Sequence, residues 1–482
     1  MGSWTCPVLK GTSDVREGTK DVRAPTSDVR VGTKGVRVRA SQVPEGTRDV
    51  RVRTSQVREG TKDVREGTSK LREGVSEAHE GTSDLGRPHP GPSRILPSMN
   101  TSRILIATSV LSALSWLMHR YVWARLVRDA AWTAPWGRAL TLAVCVLGAL
   151  VPVVFLAMRW LPRFINAPLA WVVYTWLGFA LYLFLLTVVS DAGRAVGWIT
   201  GTLPADPGRR IILARAAAGS VAGLSGLIGL GGLANVARGF DVRRVRVPLA
   251  RLPPSASGYS IVQLTDVHVG PTIGRDFVEA VVRKTNELAP DLVVITGDLV
   301  DGTVEQLGAL VEPLRGLRAR DGVFFVTGNH EYYSGAAEWI EHLHGLGIRV
   351  LRNERVSIRD AFDLAGVDDA SAHRMLPDHG QDVPKALAGR DPARAVVLLA
   401  HQPKALKEAL LWDVDLQISG HVHGGQMVPF NWIARLDQPL IAGLHLVERT
   451  WVYVSTGTGY WGPPMRVGSG AELTRIELIA RA

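Results

Sequence analysis

The stretch LQISGHVHGGQ, Leu416 to Gln426, runs from an apolar segment through a glycine into two histidines one residue apart. Its start, within VDLQIS, has the length and β-branched character of a buried strand. Gly420-His421-Val422-His423 therefore lies at a strand end. Side chains two apart on extended backbone point to the same side, so both imidazoles have one region to face. What they do there depends on partners from elsewhere in the chain.

Four other strand-like runs end in ligating residue types. SIVQLT leads into Asp266-Val-His268, and DLVVIT into Gly297-Asp298. GVFFVT leads into Gly328-Asn329-His330-Glu331, and AVVLLA into His401. Helical patterns such as DFVEAVVRKTNELA and AAEWIEHLHGLG alternate with these runs, the rhythm of an α/β domain. In open α/β sheets, sites gather outside the carboxyl ends of strands, so the five ends point to one region. Asp266 and His268, two residues apart, are expected to face one ion together. Glycine before Asp298, Asn329 and His421 lets the backbone turn sharply and approach the site closely. A carboxylate can bridge two ions, and nitrogen–oxygen ligation without sulfur suits Mn, Fe or Zn. His342 and His344 repeat the H-x-H spacing inside a helical pattern, where such residues do not face each other. They read as a helix face, and His373 and His379 as loop residues.

Taken in order, these blocks resemble the calcineurin-like metallophosphoesterase superfamily over about residues 258–480. GHVHGGQ and the later YVSTGTGYWGPPMR resemble its membrane-anchored branch. The resemblance implies a four-layer α/β/β/α sandwich with two divalent metal ions between the sheets. It implies that Asp266, His268, Asp298 and His423 hold one ion, and Asp298, Asn329, His401 and His421 the other. His330 matches the substrate-facing histidine, which protonates the leaving group or stabilises the transferring phosphoryl. Paired ions clamp phosphoryl oxygens and activate water to hydroxide, so the implied reaction is hydrolysis of a phosphodiester, phosphomonoester or pyrophosphate. Arg466 reads as a phosphate contact or as a surface arginine. The competing reading is a non-catalytic membrane sensory or interaction protein with a metal-binding domain.

Residues 241–482 carry this domain, and residues 99–240 read as a transmembrane region with three to four helices. The uncharged runs are Ile104–Met118, Ala139–Met158, Phe164–Ser190 and Ala216–Ala237. A spanning helix needs about 20 such residues, which the last three supply and the first approaches. Within the last run, GLGGLA (Gly229–Ala234) satisfies a loose dinucleotide pattern, but no βαβ unit surrounds it. Small residues there suit close helix packing. An integral membrane protein of the bacterial cell membrane is expected, with a lipid bilayer as partner and a substrate that is itself lipid-linked. Flanking arginines are nearly balanced between the two orientations; the cluster Arg238 to Arg246 tips the domain toward the cytoplasm.

The formal charge of +10 raises nucleic acid as a partner, but no basic stretch carries interleaved aromatics, and none is expected. The two cysteines, Cys6 and Cys145, exclude a disulfide framework and a cysteine-ligated zinc site. Residues 11–87 repeat every seven residues, yet most units offer one valine and a glycine, too little for a coiled-coil seam. Residues 1–98 therefore read as a disordered tail. Repetition this regular also resembles tandem-repeat DNA, which makes Met99 the expected start of translation. Mass spectrometry of the native protein is then expected to find no peptide from residues 11–87; finding one would remove the later start.

Overall fold

Strands as apolar as LVVIT and AVVLL must be covered on both faces, and two stacked sheets with helices on their outer faces achieve this. The computed structural model describes residues 101–157 and 161–481, within the unit Ile95–Ala482. The heptapeptide repeat, Cys6 and Met99 lie outside the described residues.

Four helices come first: α1 Thr101–Trp123, α2 Trp136–Ala157, α3 Arg163–Ile199 and α4 Pro207–Ala237. Among the described residues, α2, α3 and α4 are long and apolar enough to cross a membrane. α1 packs against α2 and α3, and its His119 Nε2 accepts from Trp176 Nε1 of α3 at 2.9 Å. α4 packs on α3 through glycine: a Cβ on Gly229 would collide with the Phe179 ring. GLGGLA is thus helical and serves close packing.

α4 runs through Arg238 and Gly239 directly into strand β1, Phe240–Leu249. Arg243, Arg244 and Arg246 are exposed on this strand, at the edge of its sheet. There their charge blocks pairing with a further strand.

The first sheet has the order β1-β12-β2-β3-β4-β5. Its other strands are β2 Tyr259–Leu264, β3 Leu292–Thr296, β4 Val323–Val326, β5 Arg349–Val350 and β12 Ala471–Ala480. The second has the order β10-β11-β9-β8-β7-β6. It comprises β6 Glu354–Ile358, β7 Phe362–Gly366, β8 Ala395–Leu399, β9 Leu416–Ser419, β10 Gly443–Val447 and β11 Thr450–Val454. β2, β3 and β4 are parallel neighbours, as are β8 and β9, so each sheet gathers its ligand-bearing ends along one edge.

Side chains alternate between two cores. Leu292, Val294, Phe324 and Val326 meet Val397, Leu399, Leu416 and Ile418 between the sheets. Val293, Ile295 and Phe325 face outward against three helices, α5 Arg275–Glu287, α6 Val304–Val311 and the later Ala336–Gly345. Val396 and Leu398 pack outward on Val383, Ala386, Ala405 and Ala409. The result is the expected α/β/β/α sandwich. Each fully buried aliphatic side chain stabilises it by about 1.5–3 kcal/mol.

In the outer layer Trp339 is fully buried, and its Nε1 donates to Gly302 O at 2.9 Å. Trp339→Ala is expected to destabilise the sandwich by about 3–5 kcal/mol, read as a lower denaturant midpoint of the detergent-solubilised protein.

Candidate metal centre

Each candidate ligand lies just past the carboxyl end of its strand. Asp266 and His268 follow β2, and Asp298 follows β3. Asn329 and His330 open the short helix α7, Asn329–Ser334, after β4. His401 follows β8, and His421 and His423 follow β9. The backbone there is not extended, contrary to the pleat argument. Asp266, His268, Asp298, His421 and His423 have φ of +53°, +54°, +51°, +71° and +52°. A non-glycine residue in that region costs roughly 1–3 kcal/mol, and such strain concentrates at functional sites. Asp266 and His268 do converge, through two left-handed residues rather than through a pleat. Two glycines are sterically required: a Cβ on Gly420 would land on Asp266 Oδ2 and Thr265 Oγ1, and one on Gly328 on Asp298 Oδ1.

The ligating atoms fall into three groups, each within 4.8 Å: Asp266–His268–His423, Asp298–His401–His421 and His268–Asp298–His330. His421 and His423 belong to different groups. His268 Nε2 and His423 Nε2 face each other at 3.0 Å, with Asp266 Oδ1 3.4 Å from the latter. His401 Nε2 lies 3.1 Å from Asp298 Oδ2 and 3.2 Å from His421 Nδ1. Asp298 Oδ2 is also 3.9 Å from His268 Nε2, so it stands between the groups. Asn329 Oδ1 is buried and has no hydrogen-bond partner among the described residues. Ring nitrogens this close repel unless a proton or a cation lies between them, and an orphaned buried amide oxygen needs an electrophile. The donor set fits divalent cations that accept nitrogen and oxygen.

A second layer orients the first. His401 Nδ1 donates to Thr296 O at 2.7 Å, and His268 Nδ1 donates to Asp301 Oδ1 at 3.0 Å, which leaves each Nε2 for the centre. Asp301 Oδ1 also accepts from His330 Nδ1 at 2.6 Å. Glu331 takes three backbone amides, from Asp298 at 3.0 Å, Leu299 at 2.8 Å and Gly328 at 2.7 Å. It thereby ties the β3 loop to the β4 loop. The sequence reading gave neither acid a role. Asp301 was signalled by its place three residues after Asp298, and Glu331 by its capping position at the third residue of α7.

Charges in this volume are strongly coupled. Burial opposes ionisation of Asp298, yet His401, His330 and His268 hold it well below the usual carboxylate range. Burial likewise opposes a charged His330, but Asp298 and Asp301 lift it to about 9. Burial and the neighbouring Asp298 push Glu331 up to about 7. Burial and His401 push His421 down to about 4, and burial with His268 and Arg466 holds His423 well below its ordinary value. Neutral imidazoles with free lone pairs are the form a cation needs.

Arg466 is neither a surface residue nor a phosphate contact: it is 1% exposed. Its guanidinium donates to Gly459 O at 2.6 Å, Thr456 O at 2.7 Å and Gly470 O at 2.9 Å, and lies 3.3 Å from His423 Nδ1. Five donors on a planar fork suit a loop rich in unpaired carbonyls. His342 packs on Trp339 in the outer layer, and His379 meets Tyr332 Oη at 3.0 Å. Neither belongs to the centre.

A sequence profile of the calcineurin-like phosphoesterase family matches residues 259–425, which span all five ligand-bearing strands and the loop after β9 through His423. An Aquifex aeolicus metallophosphoesterase is 37% identical over 227 residues, which are 47% of this chain and 87% of that protein. The chain belongs to the calcineurin-like metallophosphoesterase family. Two vertebrate proteins named transmembrane protein with metallophosphoesterase domain are also similar. The Danio rerio protein is 45% identical over 51% of this chain and 58% of its own length. The Bos taurus protein is 44% identical over 60% of this chain and 66% of its own length. This metallophosphoesterase thus matches about six tenths of each vertebrate relative. A solved dimetal phosphatase from Danio rerio overlays 46% of the chain and 93% of its own at 14% identity, with a TM-score of 0.30.

Glu331→Gln replaces an acceptor of three amides with a group whose NH₂ would oppose them. Mn²⁺ affinity is expected to fall about 10–100-fold in calorimetric titration, with the far-ultraviolet dichroism unchanged. Unaltered affinity would make the clamp incidental to the centre.

Proposed function

We propose that the chain is a membrane-anchored phosphoester hydrolase with two divalent ions, its soluble domain occupying residues 241–482 behind the helices of 99–240. One ion is assigned to Asp266, His268, Asp298 and His423, the other to Asp298, Asn329, His401 and His421. The observation that carries this reading is the pair of histidine–aspartate groups on either side of Asp298, with Asn329 Oδ1 left unpartnered beside them. Mn, Fe or Zn would satisfy the donors. Such ions supply Lewis-acid charge for a phosphoryl group and an activated hydroxide.

The residues around them do the remaining work. With Nδ1–H donated to Asp301, His330 carries a second proton at Nε2 as the imidazolium, the form that Asp298 and Asp301 favour against its burial. Its side chain is 15% exposed, so the ring reaches the cleft while most of it stays dry. From there Nε2–H can protonate the departing ester oxygen. Tyr333 and Trp461 stand edge-on to this ring, at 5.3 and 5.7 Å, and fix its plane from the open side. Asp301 keeps the imidazolium oriented, and Glu331 keeps Asp298 and Gly328 in register.

We infer a lipid-linked phosphoester as substrate. The support is that the loop after His423 rests on the apolar helices: Met427 is buried with Tyr182 of α3 and with Met465. A membrane-facing site favours a substrate that arrives in the membrane.

The test is the purified full-length protein, loaded with Mn²⁺, on a panel of soluble and lipid-borne monoesters, diesters and pyrophosphates. His421→Ala and His423→Ala are each expected to lose one ion equivalent, and Asp298→Asn to weaken both. His330→Ala is expected to keep both ions and lose roughly 10²–10⁴-fold in turnover. Full metal content with no hydrolysis of any ester would support the metal-binding sensory protein instead. A preference for soluble esters would overturn the lipid-linked substrate.

A further inference from the structure

Residues 430–436, FNWIARL, contain a one-turn helix, Phe430–Ala434, on the sandwich side of the molecule. Four of the seven are large, apolar and exposed: Phe430 44%, Trp432 67%, Ile433 54% and Leu436 87%. A water-facing surface seldom concentrates such residues, and a contiguous apolar patch marks an interaction site.

The position of the segment identifies what covers it. Val428 O accepts from Tyr182 Oη of α3 at 2.9 Å, and Met427 is buried among Tyr182, Met465, Phe179 and Leu185. Phe430 follows Val428 by two residues. Tyr182 lies within the uncharged stretch 164–190 of α3. Phe179, one turn before it, is level with Gly229 of α4, since a Cβ on Gly229 would strike its ring. Gly229 is eight residues before the end of α4 at Ala237, a depth of about 12 Å at 1.5 Å per residue. The turn that launches the segment therefore leans on two apolar helices well inside their lipid-facing length. Close by, α4 exposes Leu224, Leu227 and Leu230. Ile228 and Leu233 of α4 join the cluster around Met427, three residues before Phe430.

We propose that Phe430–Leu436 is a lipid-embedded loop of the metallophosphoesterase domain, covered by the same bilayer that α2–α4 span. This rests on the reading of those helices as membrane-crossing. Trp432 and Phe430 supply the amphipathic and aromatic surface that favours the interface. Ile433 and Leu436 add acyl-chain contact, and the exposed Arg435 can extend its guanidinium to headgroup phosphates. The loop also governs the approach to the centre. Gln426 holds the rim in place by donating to Trp461 O at 2.8 Å, and Trp461, 55% exposed, lines the mouth beside His330. A phosphoester on a lipid can then reach the cleft from the headgroup layer without leaving the membrane.

The experiment uses the full chain in phosphatidylcholine–phosphatidylglycerol vesicles, with Cys6→Ser and Cys145→Ser removing the native thiols. Trp432→Cys, Leu436→Cys and, as a control on an exposed helix, Lys407→Cys each carry an environment-sensitive fluorophore. Quenching by doxyl-labelled lipid but not by aqueous iodide is expected at positions 432 and 436, with the reverse at 407. Iodide quenching at 432 and 436, or protection there from both quenchers as a second protein copy would give, overturns the proposal. A Trp432→Ser, Leu436→Ser double variant is expected to lose about tenfold in turnover of a vesicle-borne phosphoester, with turnover of a soluble ester unchanged. Equal loss on both esters would also count against the loop. Because quenching needs no turnover, an inactive protein would sink the hydrolase reading while the lipid contact is still decided.

Discussion

The nitrogen atoms of His268 and His423 face each other across 3.0 Å. In so dry a place only a proton or a cation between them relieves that opposition, and most of the local structure can be understood as the means of maintaining it. Five ligand-bearing residues adopt left-handed backbone, Gly420 and Gly328 give up side chains to allow the approach, and Glu331 collects the amides of two loops. Each device costs stability by itself, and the packed cores on both faces of each sheet offset that cost. The strain marks where the fold has been bent to a task rather than to its own stability.

Arg466 links this centre to the helices. Its backbone N–H donates to Gly232 O of α4 at 3.1 Å, and Asn235 of the same helix donates to its carbonyl oxygen at 3.1 Å. Its buried guanidinium meanwhile holds the carbonyls that wrap His423. One residue is thus anchored by its main chain to a membrane-type helix and by its side chain to a ligand loop. Gly232 makes the approach possible, since a Cβ there would press on Val467 and Met465. With α4 passing into β1 through a single glycine, Gly239, beyond its cap, the sandwich has little freedom to swing away from the helices. The orientation of the sandwich on these helices is built into the packing.

The sequence by itself determined the strand ends. DLVVIT and AVVLLA admit few environments besides a sheet covered on both faces, and the ligand types after them follow from their place in the chain. It also determined that the H-x-H of His342 and His344 belongs to a helix, because a 3.6-residue period separates their directions. Strands β1 and β12 were harder to read. FDVRRVRVPL and AELTRIELIA carry charges at edge or half-exposed positions, and that masks the alternation.

Only the tertiary structure decided how the ligands meet. The left-handed φ values and the three-amide grip of Glu331 depend on loops from separate strands being within hydrogen-bond reach. Arg466 shows the reason most plainly. Along the chain it is one arginine in a glycine- and proline-rich stretch, indistinguishable from a surface residue. Its burial arises because α4, the His423 loop and the 456–470 loop close around it, and no local pattern records what three distant segments will enclose.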